Sequence, residues 1–177
     1  LARFYTGRDI VGCGADSLVT RRGPEIVKFA TTPMRDPHFL VHELTRRYDR
    51  AKEALDGYIV DTSFELGQTD GSDRPNAIVM IQPPVDCSVD ALRSNDPDVV
   101  AQVIDFRARA LELAHRQGLV VDANPRKKNL VVNPTTGGVQ CVDTVVSFID
   151  DDGFTRPLSR HKANSELDIS HIEHLPR

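Results

Sequence analysis

The chain has 177 residues, 40% of them hydrophobic and 27% charged, with a formal net charge of −4. At roughly 100–200 residues per domain, this length excludes a large multidomain enzyme and predicts one compact unit or two small lobes. No apolar run approaches the ~20 residues of a membrane helix, and the acidic balance lacks a basic block, so a soluble protein is expected with neither a membrane nor a nucleic acid as partner. Three cysteines, Cys13, Cys87 and Cys141, are widely spaced and odd in number. Neither a disulfide framework nor a paired zinc motif is indicated, and a reducing, cytoplasmic setting is expected. The chain opens on Leu1 without a methionine or a signal pattern, which reads as a piece of a longer protein.

Residues 10–30 read as successive strands: an apolar strand, a glycine-containing loop at 12–17, a strand at 18–20, a turn at 21–24 and a strand at 25–30. Asp36 followed by Pro37 is a helix start, and Leu40, Leu44, Tyr48, Ala51 and Leu55 recur at helical spacing until Gly57. Two β-rich segments, 58–66 and 77–81, flank the polar turn sequence 68–76 and predict antiparallel strands. Asn95 and Asp96 precede Pro97, and Val103, Phe106, Ala110, Leu111 and Ala114 mark a second amphipathic helix that ends at Gly118. An apolar approach at 119–121, a polar loop at 122–128, a strand at 130–132, a Pro-Thr-Thr-Gly-Gly turn and a strand at 139–142 then lead to Asp143. From Asp150 onward periodicity is weak, and no internal repeat or low-complexity tract is present.

The chemistry-bearing residues fall into two groups. Gly12, Gly14, Ser17 and Val19 fit the shape GxGxxGxV with serine at the third glycine, inside a hairpin rather than ahead of a helix. Two glycines let backbone approach phosphate oxygens with no Cβ in the way, although an ordinary glycine-containing turn has the same composition. Lys28 lies on the returning strand, where alternation puts it on the face of Ile26; it either points inward to an anionic partner or lies on an edge facing solvent. Glu43, beside the apolar stripe of the first helix, is placed to pair with Lys28, with Glu53 as a competitor and a solvated helix glutamate as the plain alternative. In the second group Asp122, Asn129 and Asp143 gather oxygen ligands on one hairpin and its leading loop, a donor set suited to magnesium. Taken singly they are also ordinary turn formers and a cap.

Other residues are weaker candidates. His171 and His174 are three apart without a further ligand cluster, so a surface segment is expected rather than a metal site. Cys13 reads as a redox-sensitive thiol or simply a small apolar loop residue, and Arg126, Lys127 and Lys128 as phosphate contacts or a solvated basic loop.

The order of parts resembles the protein kinase superfamily: glycine loop, strand lysine, helix glutamate, a hinge at 80–85, a long helix, AHRQGLVVDANPRKKNLVV at 114–132 and VQCVDTVV at 139–146. The resemblance covers residues 10–146 and is strongest to the minimal effector kinases that bacteria inject into host cells. It implies an α+β, minimal two-lobe fold with an N-lobe-like part at 1–85 and a reduced C-lobe-like part at 86–177. It also implies ATP and magnesium as cofactors, with Gly12, Gly14, Ser17, Val19, Lys28, Met80 and Gln82 at the nucleotide and Asn129 and Asp143 on the metal. Asp122, Lys28 and Glu43 would be catalytic, and the acceptor a protein hydroxyl, serine or threonine, belonging to a host protein if the chain is secreted. A small-molecule acceptor, as in aminoglycoside-type kinases, and a catalytically dead nucleotide-binding module are the alternatives. The pattern departs from the family where Val120 and Val121 replace its His-Arg pair, where the loop to Asn129 is about two residues longer, and where Asp143-Thr144-Val145 replaces Asp-Phe-Gly. Without that arginine, control by phosphorylation of a following loop is not expected.

Overall fold

The computed structural model describes residues 2–3, 10–13, 18–31, 37–68, 72–123, 128–144, 146–149 and 155–156. It is a mixed α+β structure of antiparallel sheets and two helices. The chain divides into two compact units, Leu1–Arg46 with Asp61–Pro84, and Arg47–Val60 with Val85–Arg177.

In the first unit β1 (Ala2–Arg3), β2 (Ile10–Cys13), β3 (Leu18–Arg22), β4 (Glu25–Thr31), β5 (Ser63–Gln68) and β6 (Ala77–Gln82) form one sheet in the order β1-β5-β6-β4-β3-β2. Only β1 joins parallel, along β5. Arg22 pairs with Glu25 across a Gly23-Pro24 loop, and Gly23 takes φ 58°, a value that favours glycine at the first position of a two-residue hairpin turn. β6 is buried at all six positions, which is why its text reads as a continuous apolar run rather than as alternation. Val27, Phe29, Ala77, Val79 and Ile81 cluster on one face of this sheet. Each such side chain contributes about 1.5–3 kcal/mol by leaving water, alanine less.

The helices start and stop where their signals stand. α1 (Pro37–Ala54) begins at the proline, and Leu44, Tyr48, Ala51 and the following Leu55 are buried. α2 (Pro97–Gln117) is capped by the Asp96 carboxylate, which accepts from the Asp98 N–H at 2.9 Å, and closes at Gly118 in the left-handed region at φ 63°. Its buried stripe is Val99, Val103, Phe106, Ala110, Leu113 and Ala114. Leu111, expected in the stripe, is only half-buried, and Leu113 takes the core position.

In the second unit β7 (Leu119–Val121), β8 (Leu130–Val132), β9 (Val139–Cys141), β10 (Val146–Ile149) and β11 (Thr155–Arg156) complete the strands. β8 and β9 form a hairpin, and β10 lies between β7 and β11. The hairpin is only three residues deep, so it needs partners on both sides. Along β8, the Val132 N–H donates to the Val89 carbonyl at 3.0 Å and Asp90 bridges to Val131. Along β9, the Cys141 N–H donates to the Tyr58 carbonyl at 2.6 Å and the Val60 N–H to the Cys141 carbonyl at 3.3 Å.

That last pairing corrects the strand expected at 58–66. The regular strand begins at Ser63, because Tyr58 to Val60 are taken up by β9 and by the Tyr48 hydroxyl, which donates to the Val60 carbonyl at 3.2 Å. β10 lies in a stretch where no strand was expected; it pairs with β7, Val146 opposite Val121. Among the described residues no helix is long and apolar enough to cross a membrane.

Gly67 lies close against the apolar cluster of the first sheet. A Cβ there would meet Val79 Cγ2 at 2.7 Å and the Phe29 ring at 2.9 Å, both inside the apolar cluster. Gly67→Ala is therefore expected to destabilise the protein by about 1–3 kcal/mol, the usual cost of forcing an extra carbon into a filled core. Chemical denaturation of the two proteins side by side measures it, and equal midpoints would contradict the close approach.

Candidate active site

Strand register gathers four of the expected nucleotide residues. Gly12 lies opposite Val19, Val19 opposite Lys28, and Lys28 opposite Met80, while Phe64 continues the row on β5. Directly opposed residues in antiparallel strands share a face, so Val19, Lys28, Met80 and Phe64 emerge together. One pair along, Ile26 opposes Gln82 on the same face. Gln82 is buried, and its Nε2 donates to Thr62 Oγ1 at 2.8 Å. Lys28 is half-buried, on the face opposite Val27 and Phe29. Gly14 and Ser17 lie outside the described residues.

Glu43 is 14% exposed and holds Arg46 in a fork, with Oε1 to Nη2 at 2.7 Å and Oε2 to Nε at 3.0 Å. The hydrogen bonds and then the charge of Glu43 raise the Arg46 guanidinium above its ordinary value. Glu53, the competitor of Glu43, is exposed.

The second group sits where β7 gives way to the hairpin. Immediately after β7 the Ala123 N–H donates to the Val121 carbonyl at 3.0 Å, a tight turn that leaves Asp122 4% exposed. Asn129 is 6% exposed, and its Nδ2 donates to the Asp122 carbonyl at 2.7 Å. The Val142 N–H donates to the Asn129 carbonyl at 2.9 Å, adding one rung to the hairpin beyond Leu130 and Cys141. Asp143 follows that rung directly, and its carbonyl accepts from Cys141 Sγ at 3.4 Å. Asp122 and Asn129 are thus bonded to each other, and Asp143 comes off the neighbouring strand end.

Lys128, immediately before Asn129, has φ 52°. A side chain at that value costs about 1–3 kcal/mol, and such backbone tends to occur where function fixes it. Arg126 and Lys127 lie outside the described residues, as do His171 and His174; of Cys13 only the backbone is described.

The donor set fits magnesium. Anchoring Asn129 through Nδ2 turns its Oδ1 away from the Asp122 carbonyl, and with the carboxylate of Asp143 the oxygens are of the hard type this ion takes. Among the described residues no three or more His, Cys, Asp or Glu gather as a metal cluster.

Tyr58, whose side chain had no expected role, fixes the strand next to this site. Its hydroxyl donates to Asp105 Oδ2 at 2.8 Å, its ring meets Phe106 edge-on at 5.7 Å, and the Arg109 guanidinium stands 5.6 Å over it. Burial, then the bond to Asp105, push the phenol up from 10.0 to about 12. A raised pKa favours the protonated folded state, so this contribution is complete below pH 10 and is lost as pH climbs through about 12. The stability of the natural chain relative to Tyr58→Phe should accordingly be greatest below pH 10 and fall as pH climbs towards about 12 in thermal melts; a constant difference would contradict the raised pKa. Comparison with protein-family models and with curated proteins finds no match for the chain.

Proposed function

We propose that the chain is an ATP- and magnesium-dependent phosphotransferase with a minimal two-lobe, kinase-like fold, transferring the γ-phosphoryl group to a protein serine or threonine hydroxyl. The observation that carries the reading is the bond from Asn129 to the Asp122 carbonyl, with Asp143 one residue past the adjoining rung. It sets Asn129 beside the backbone of Asp122, just ahead of the hairpin, with Asp143 on the adjoining strand end, and this supports the reading. The row Gly12, Val19, Lys28 and Met80 supports it independently, since a lysine beside glycine backbone and apolar side chains suits a phosphate tail and a flat base.

In this reading Lys28 donates to the α- and β-phosphate oxygens, and Glu43 fixes its ammonium. The Gly12 backbone admits the phosphates without a clash, while Val19, Met80 and Gln82 line the nucleotide. Asn129 and Asp143 would hold the magnesium ion, which when bound neutralises charge on the phosphates. Asp122 orients the acceptor hydroxyl and takes its proton as the oxygen bonds to the γ-phosphorus. The bond from that phosphorus to the β-bridging oxygen breaks, and ADP leaves. Positioning and charge, rather than covalent work by the protein, carry the rate.

Incubation with labelled ATP and magnesium, with mass spectrometry of protein and small-molecule fractions, tests the reading and reports the acceptor. Label in a protein fraction is expected; label confined to a small molecule would overturn the protein acceptor, and tight nucleotide binding without any transfer would overturn the activity. Lys28→Ala and Asp143→Asn should each abolish transfer at an unchanged melting temperature, because they remove phosphate and metal contacts rather than core. Near-normal turnover in either variant would remove the site.

Asp122→Asn separates the nucleophile's partner from the nucleotide's. It should bind ATP with magnesium about as well as the natural chain, yet lose transfer by on the order of 10²-fold or more, since loss of a general base acts on the transition state. Full transfer by this variant on the same acceptor would move the role to another residue.

A further inference from the structure

The outer edge of β9 is closed by two unlike partners. Cys141 is held by backbone, between the Tyr58 carbonyl and the Val60 N–H. Val139, two residues nearer the turn on the same edge, is held by a side chain: Gln102 Oε1 accepts its N–H at 2.9 Å. Gln102 Nε2 also donates to the Gly137 carbonyl at 3.2 Å. A primary amide carries one acceptor and two donors on a rigid plane, so this one side chain of α2 stands in for a further peptide of an adjoining strand.

This matters for where the oxygen ligands sit. α2 runs through Gly118 and β7 to Asp122, whereas β8 and β9 carry Asn129 and Asp143. Side chains tie these two pieces at both ends of the hairpin, through Asn129 to the Asp122 carbonyl at the open end and through Gln102 at the turn. At ~3.3 Å per strand residue, the two ties are about 10 Å apart along the hairpin. The hairpin is already held along its edges by Tyr58, Val60, Val89 and Asp90; the Gln102 bonds add a tie to α2 at the turn end, beyond the reach of those segments. The turn itself is rigid, since Asn133 Oδ1 accepts from the Thr135 and Thr136 N–H groups and the Asn133 N–H closes on the Gly138 carbonyl at 2.8 Å. The constraint at Gly137 and Val139 is therefore passed along the strands rather than absorbed in the loop.

We propose that Gln102 is a positioning residue for the metal pair Asn129 and Asp143, setting the angle at which the β8–β9 hairpin presents them. The inference rests on the phosphoryl-transfer reading above. Gln102 lies outside every motif that suggested that reading, and it acts only through the backbone of Gly137 and Val139.

The test uses the full chain with ATP and manganese as the probe, titrating the metal and following nucleotide binding by calorimetry. Gln102→Ala should raise the manganese concentration at half-saturation about 10-fold, the lower range for loss of a supporting bond behind metal ligands, while ATP affinity at saturating metal stays unchanged. Gln102→Glu keeps the acceptor for Val139 and loses the donor to Gly137, so it should fall between the two. It carries the same comparison if the alanine variant does not fold. A purely structural role would lower the melting temperature of Gln102→Ala and leave the metal midpoint where it was, and that result overturns the proposal. Asp143→Asn separates the two levels. If it shifts the midpoint and neither Gln102 variant does, the positioning role alone is overturned; if it does not shift the midpoint, the metal site fails and the role of Gln102 with it.

Discussion

A three-residue strand cannot satisfy its own backbone, and most of the second unit follows from that constraint. Buried N–H and C=O groups left without partners cost about as much as the bonds they forgo, so β8 and β9 need something along each outer edge. On one side the chain supplies Val89 and Asp90, on the other Tyr58 and Val60, and where those segments end a side chain takes over. The ends of the same hairpin carry Asn129 and Asp143. The demand for closed hydrogen bonds and the placing of the two proposed metal ligands are thus met by one arrangement.

Several of the side chains that complete this hydrogen bonding are amides. Asn129 holds the Asp122 carbonyl, Gln102 holds Gly137 and Val139, Asn133 closes the turn, and in the first unit Gln82 is held by Thr62. An amide offers donor and acceptor without a net charge, so it bonds backbone in a dry place without the desolvation cost an ionised group carries. Charged pairs sit further out, as with Arg22 and Glu25 or Arg116 and Glu112, where solvent screens them and they contribute little. Asp90, paired with Arg93, and Asp122 depart from this as carboxylates on buried residues, Asp122 at the place where chemistry is proposed.

Local signals made both helices legible in the sequence. Asp96, Pro97 and Gly118 bound α2 because capping and left-handed backbone are decided by neighbouring residues. Alternation likewise gave the correct face for Lys28, since it needs only the period of a strand. The in-register row from Gly12 to Met80 was only half legible, because four strands must pair before their residues align, and a bulge between Ile10 and Gly12 shifts the register of β2. Tyr58 to Val60 misled for the opposite reason: an apolar β-rich segment was read as continuing into its sequence neighbour, while its partner Cys141 lies far along the chain. β10 went unseen because four residues are too few to display a period, and Gln102 because a polar residue on an amphipathic helix looks solvated until its partner is known.

Cys141 gives this hairpin an internal clock. Its thiol is fully buried on β9, two residues before Asp143, whereas Cys87 is exposed. A thiol-modifying reagent meets Cys87 at once but reaches Cys141 only when β9 leaves its partners, so the slow labelling phase measures the frequency of that opening. Because β9 ends beside Asp143, the same phase records how often that strand end comes apart. A property of the proposed site is thereby written into the alkylation kinetics of a residue with no chemistry of its own.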